Sequence, residues 1–130
     1  MLASVSVDVI SDLLAAISTY DDEGMRKACA PDVVRWLSLT EEETGLEELL
    51  ATVVRERSVV DHATFSLRQR TDTADGAVLM VTVNGLTKGG ASFHIPVCLV
   101  VTVAGGLVTR IDEYANLENA GELIKEMFAP

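Results

Sequence analysis

The hydrophobic pattern of this chain changes period once, near Asp61, and that change restricts the fold more than any motif does. Upstream, VISDLLAAISTY carries Ile10, Leu13, Leu14 and Ile17 at i, i+3, i+4 and i+7, one apolar helical stripe. Downstream, HATFSLRQR alternates Ala63, Phe65 and Leu67 with His62, Thr64, Ser66 and Arg68, the period of a half-exposed strand. Further strand-like runs follow: AVLMVTVNGL, SFHIPVCLVVTV and LVTRIDEY. Turns at Asp75 and Gly76, at Lys88 to Gly90 and at Ala104 to Gly106 separate them. Connections that short join antiparallel neighbours, so the second half reads as a meander.

The first half supplies helices to cover that sheet. DDEGMRKACAP reads as a short second helix with acids in its first turn and Pro31 at its stop. DVVRWL is a brief β-rich segment, and LTEEE an acidic loop at the rim of whatever the helices enclose. In TGLEELLATVVRER, Thr44 and Glu47 have capping-box spacing ahead of a stripe of Leu46, Leu49, Leu50, Val53 and Val54. After the last strand, Asn116 is placed to cap a closing helix that turns Leu123, Ile124, Met127 and Phe128 inward. The expectation is one α+β domain over residues 1–130, with no repeats or linkers.

Charge narrows the partners. The net charge is −10 and the pI about 4.5. Nucleic-acid readers need a basic face to displace counterions, and anionic membrane surfaces attract basic segments, so neither partner is expected. No apolar run is long enough to span a bilayer, and MLASVSVDVISD lacks the basic start of a secretory leader, so a cytoplasmic location is expected. Cys29 and Cys98 read as two buried free thiols; their spacing does not exclude a disulfide. His62 and His94 have no carboxylate at ligand spacing and read as surface or interface residues, so no metal site is expected. SFHIPVCLVVTV is apolar on both faces: Phe93, Ile95, Val97, Leu99 and Val101 on one, Pro96, Cys98 and Val100 on the other. Helices cover only one sheet face, so a second subunit is expected over the other, giving a homodimer.

The order of elements, together with GGLVTRIDEYAN (residues 105–116) and APDVVRW (residues 30–36), resembles the nuclear transport factor 2-like superfamily. That superfamily includes SnoaL-like cyclases, ketosteroid isomerases and limonene-epoxide hydrolases. The resemblance implies a cone-shaped, curled antiparallel sheet wrapped around the N-terminal helices, with a closing C-terminal helix. It implies an apolar pocket inside the cone, with the acid just before the tyrosine, Glu113, facing inward and Asp112 outward. On that strand Thr109 and Ile111 would also face in. Arg35 becomes a candidate neighbour of Glu113. The helical and first-strand lining would be Ile17, Trp36, Leu50 and Val54. The later strands would add Phe65, Met80, Thr82, Ile95, Val97 and Ile111.

The known catalytic sets of these relatives do not transfer. The epoxide hydrolases' arginine and aspartate, two apart on a middle strand, correspond to Met80 and Thr82. The ketosteroid isomerases' base, tyrosine and acid correspond to Trp36 or Leu37, Leu13 and Cys98. None of these side chains abstracts a proton or stabilises a dienolate oxygen. What remains is a cone for a compact hydrophobic molecule, with Glu113 as the acid or base of a cofactor-free isomerase, cyclase or hydrolase. The alternative is a non-catalytic ligand-binding, dimerisation or assembly module.

Overall fold

The structure, a computed structural model, describes residues 8–129. The reading of the first seven residues as free of a leader lies outside them. Helix α1 (Val9–Ser18) begins where the Asp8 carboxylate accepts from the Ile10 and Ser11 amides, and it buries Ile10, Leu13 and Ala16. Tyr20, with φ of 52°, turns the chain sharply into α2 (Asp22–Ala28), which Asp21 caps by accepting from the Gly24 amide. Strand β1 (Cys29–Leu37) follows at once, so Pro31 lies within a strand instead of stopping a helix. Pairing is irregular between Cys29 and Val34, which leaves room for a residue with no amide hydrogen.

The acidic stretch after β1 is not a plain loop. Glu42–Thr44 form a short strand, β2, paired antiparallel with Arg35 to Leu37. Thr44 therefore does not cap α3 (Leu46–Val59); Gly45 occupies that position without a side-chain bond, and Glu47 pairs with Arg26 at 3.0 Å. The meander consists of β3 (Val60–Thr73), β4 (Gly76–Thr87), β5 (Ser92–Ala104) and β6 (Leu107–Ala115). Its tight turns use left-handed glycines, with Gly105 and Gly106 at φ of 61° and 79°. Asn116 accepts from the Glu118 amide in a local turn, and α4 (Gly121–Met127) starts later, after Ala120.

The strand order is β2-β1-β6-β5-β4-β3. All neighbours are antiparallel except β1 and β6, which run parallel, so the expected antiparallel sheet is mixed at this one seam. Bulges in β3, between β5 and β6 and along β1 sharpen the twist and curl the sheet without closing it. The concave face carries Leu79, Val81 and Val83 of β4 and Phe93, Ile95 and Leu99 of β5, all buried under the helices. The bulge beside Thr102 and Val103 changes the phase of β6: Val108 is completely buried there, and Thr109 is the extra, half-buried residue.

The two thiols are free: Cys29 is buried and Cys98 half-buried on the outer face of β5. His62 and His94 are both exposed, beside Asp61 and Asn84 respectively.

Backbone closeness generates a contrast between two glycines. A Cβ at Gly76 would lie 1.8 Å from the Val101 carbonyl oxygen, whereas one at Gly121 meets nothing within 4 Å. Gly76→Ala is expected to lower unfolding stability by about 1–3 kcal/mol through overpacking, measured by urea denaturation. Gly121→Ala, in the first turn of α4, is expected to raise it by about 0.4–1 kcal/mol.

Candidate functional site

The helices do not fill the concave side of the sheet. A cavity of about 600 Å³ remains between α1, α3, α4 and the inner faces of the strands. Its walls are mainly apolar, with Phe65, Val81, Val83, Ile95, Val97, Leu99 and Ile111 from the sheet. Ile17 of α1 and Leu49 and Val53 of α3 face them. Leu39, Leu67 and Phe128 also line it and are exposed, which marks the open side. The Phe128 ring is held there by Arg55, whose guanidinium carbon lies 4.7 Å from the ring centroid.

Among the described residues, Arg35, Glu56 and Glu113 are the ionisable side chains on this wall. The parallel seam brings the first and last of them together. β1 and β6 pair Arg35 with Ile111 and Leu37 with Glu113, so both side chains point inward from adjacent strands. Arg35 Nε and Nη2 both donate to Glu113 Oε1, at 3.2 and 2.9 Å. Their side chains are only 12% and 22% exposed. Glu113 Oε2 has no hydrogen bond within the described residues, yet it is not sealed off from solvent. The strand end is fastened on either side: Ser38 N donates to the Glu113 carbonyl, and Ala115 N to Ser38 Oγ.

Asp112, the other acid of the pair, faces the opposite side. It receives Arg110 at 2.9 Å, and Arg110 also reaches Glu43 of β2 at 2.9 Å. Glu43 thus belongs to an outer ion network and not to the rim of the cavity, where Thr40 stands instead.

The structure places Ile17, Phe65, Ile95, Val97 and Ile111 on the cavity wall with Arg35 and Glu113. It does not place Trp36, Leu50, Val54, Met80 or Thr82 there. Trp36 pairs with Asp112 and points outward, its ring 5.2 Å from that of Tyr114. Met80 and Thr82 register with Cys98 and Pro96 on the outer face, Met80 being 40% exposed. AVLMVTVNGL is apolar at both phases, so alternation did not separate them; the polar Thr82 and Asn84 marked the outer one. On α3, Leu49, Thr52, Val53 and Glu56 share the cavity-facing line. Leu50 and Val54 each lie about 100° further round, one buried elsewhere and the other 40% exposed.

Glu56 is the residue the sequence reading missed. In VVRERSVV it sits between two arginines and resembles a solvated helical face. The signal was its phase, since it continues the Leu49–Val53 line by one turn. Both flanking arginines are engaged elsewhere: Arg55 on Phe128, Arg57 on the Tyr20 carbonyl and Asp22, each at 2.9 Å. Glu56 itself receives no hydrogen bond of standard geometry. Burial pushes its carboxyl above the ordinary 4.5, opposed by the nearby Tyr20 hydroxyl; Glu113 adds to the rise and Arg35 opposes it. Tyr20 Oη is the one buried side-chain polar atom among the described residues without a hydrogen-bond partner. Burial and the Glu56 charge hold that phenol well above its usual range.

A curled sheet folded over helices around a small-molecule-sized cavity defines a class of cone-shaped α+β domains. The SnoaL-like domain model matches residues 10–111, and the chain belongs to that family, within the nuclear transport factor 2-like superfamily. A candidate SnoaL-like polyketide cyclase from Jannaschia sp. CCS1 superposes with a TM-score of 0.74 at 14% identity, covering 100% of this chain and 98% of that one. IdmH of Streptomyces antibioticus, a candidate polyketide cyclase, gives 0.77 at 18% identity over 90% of this chain and 96% of its own. A protein of ketosteroid isomerase-like fold from Catenulispora acidiphila DSM 44928, solved in complex with trimethylamine, gives 0.74 at 15% over 88% and 90%. At these identities the likeness is one of fold. The comparison with curated proteins gives no match. Among the described residues no helix is long and apolar enough to cross a membrane, and no three His, Cys, Asp or Glu side chains are grouped to hold a metal ion.

The raised Glu56 carboxyl has a consequence for stability. The folded protein keeps this proton to higher pH than the unfolded chain does. Its stabilising effect is therefore complete below about 4.5 and is lost as pH rises through the folded-state value. Glu56→Gln is expected to melt above the wild type at neutral pH, with the gap closing below about 4.5, read from thermal melts across pH.

Proposed function

We propose that the cone binds one compact, predominantly apolar small molecule and orients it against the Arg35–Glu113 pair. The observation that carries this reading is the cavity itself: about 600 Å³, walled by aliphatic and aromatic side chains, with three ionisable groups. A merely solvated carboxylate would not need a guanidinium from a neighbouring strand, held at 2.9 Å. For turnover, Glu113 is the acid/base, because Arg35 occupies Oε1 and leaves Oε2 to exchange a proton with the bound molecule. The chemistry this suits is cofactor-free isomerisation, cyclisation or hydrolysis, and the polyketide-cyclase names among the fold neighbours favour the cyclase type. The trimethylamine in the Catenulispora protein is evidence about that protein's site.

A second reading, non-catalytic ligand binding or assembly, is favoured by the inner face of β4, with Met80 and Thr82 turned outward. The inward positions of β4 are Leu79, Val81 and Val83, all apolar, so this strand offers Glu113 no polar partner across the cavity. In a thermal-shift screen of compact lipophilic compounds, followed by calorimetry of the hits, Glu113→Gln is expected to weaken binding by about tenfold. Asp112→Asn should stay within about twofold, because its side chain faces away; equal effects would retire the orienting role.

The assembly we propose is a homodimer through the convex sheet face. That face exposes Met80 (40%) and Tyr114 (51%) beside Trp36, Pro96 and Cys98, with Arg68 at the edge of the shallow groove between them. Sedimentation at micromolar concentration is expected to give a species of twice 13.9 kDa, and a 13.9 kDa species would overturn the dimer.

A further inference from the structure

We infer that the molecule held in the cone is a compact hydrophobic amine, bound as its ammonium ion with Glu56 as counter-ion. This rests on the reading of the cone as a ligand cavity and adds the charge of the ligand to it.

The argument is one of charge balance in an apolar enclosure. The wall carries one guanidinium and two carboxyl groups. Arg35 is committed to Glu113, with two of its nitrogens on one oxygen. The cations nearest Glu56 in the chain are committed as well, Arg55 to the Phe128 ring and Arg57 to Asp22 and the Tyr20 carbonyl. Glu56 is left with the Tyr20 hydroxyl near it but no cation assigned to it, in a partly desolvated place where burial disfavours its charged form. An ammonium ion relieves it by supplying both the missing charge and hydrogen-bond donors.

The other ligand classes fit less well. An anion would meet two acids and a guanidinium already in use. A neutral molecule would fill the volume yet supply no charge opposite to that of Glu56. The surroundings also suit a cation with an apolar body. Phe65 lines the cavity together with Glu56 and packs at a steep angle against Tyr20, their ring centroids 5.7 Å apart, so an aromatic ring is available on the same wall for the apolar body of the ligand. The Tyr20 hydroxyl belongs to the same cluster. It is buried without a hydrogen bond of standard geometry, and the Glu56 carboxyl is the acceptor nearest to it.

The groups that face Glu56 are Tyr20 before α2, Arg35 of β1 and Glu113 of β6. Because burial and Glu113 disfavour its ionised form, amine binding must displace a proton from whatever fraction of Glu56 is protonated. Amine affinity therefore rises with pH through the Glu56 titration, whereas affinity for a neutral analogue does not.

The test uses three probes of one shape, 3-phenylpropylamine, 3-phenylpropan-1-ol and 3-phenylpropionate, titrated calorimetrically into the full chain. The amine is expected to bind about tenfold more tightly than the alcohol at about pH 8, and the anion most weakly. Amine affinity should fall as the pH is lowered through the Glu56 titration, which lies above 4.5, with the alcohol unchanged. Glu56→Gln should bring the amine down to the level of the alcohol and leave the alcohol alone. Alcohol and amine binding equally, or a Glu56→Gln variant that keeps the amine's advantage, would overturn the inference while leaving the cavity reading intact. If none of the three binds at millimolar concentration, both fall. The pH series on the unmutated protein tests the same point without relying on a variant that folds.

Discussion

The parallel pairing of β1 with β6 is the constraint on which the rest of this structure depends. It joins the helical first half of the chain to the last strand of the meander, and it closes α1, α2 and α3 over the concave face. The same seam sets Arg35 next to Ile111 and Leu37 next to Glu113, so the two charged side chains point inward within hydrogen-bond reach. A parallel register slipped by one residue would turn one of them to the outer face and leave the other unpaired in an apolar cavity. The serine just past β1 reinforces the seam, with its amide on the Glu113 carbonyl and its hydroxyl receiving the Ala115 amide.

Inside the cone, the electrostatics follow from which arginines are free. The other arginine ion pairs among the described residues, such as Arg110 with Asp112 and Arg70 with Asp8, lie on the outer surface, largely exposed and screened, and contribute little each. The Arg35–Glu113 pair is different because most of it is out of water, where losing one partner strands the other. Glu56 is different again: it shares the same cavity with no cation assigned to it. One cavity therefore contains a carboxylate paired with a guanidinium and a carboxyl with no cation assigned to it, and the proposed ligand site rests on that asymmetry.

Much of the fold was legible because the physics behind it is local. The switch from Leu13 and Leu49 at helical spacing to Phe65 and Val83 at alternate positions identified helices and strands, and the glycine pairs located the hairpins. Caps were less legible. Thr44 and Glu47 have the right spacing for a capping box, but β2 claims the first and Arg26 the second. The site was readable in part. Glu113 was placed by resemblance, since alternation offers one acid to each face. Met80 and Thr82 were assigned to the wrong face because β4 is apolar at both phases. Trp36 was assigned to the cavity, although it stacks on Tyr114 outside it.

By itself, the sequence determined the order and type of elements apart from the short β2, the meander, the acidic exterior and the presence of an acid before Tyr114. Those features depend on residues a few positions apart, whose interactions are set by backbone periodicity and turn chemistry. Only the tertiary structure decided which face of each strand looks inward, that Arg35 meets an acid far along the chain, and that Glu56 enters the same cavity alone. Those outcomes depend on strand register, on bulges and on which partners the neighbouring arginines take. Local patterning is silent on all three, because a strand apolar on both sides and a glutamate between two arginines satisfy the same local rules in either orientation.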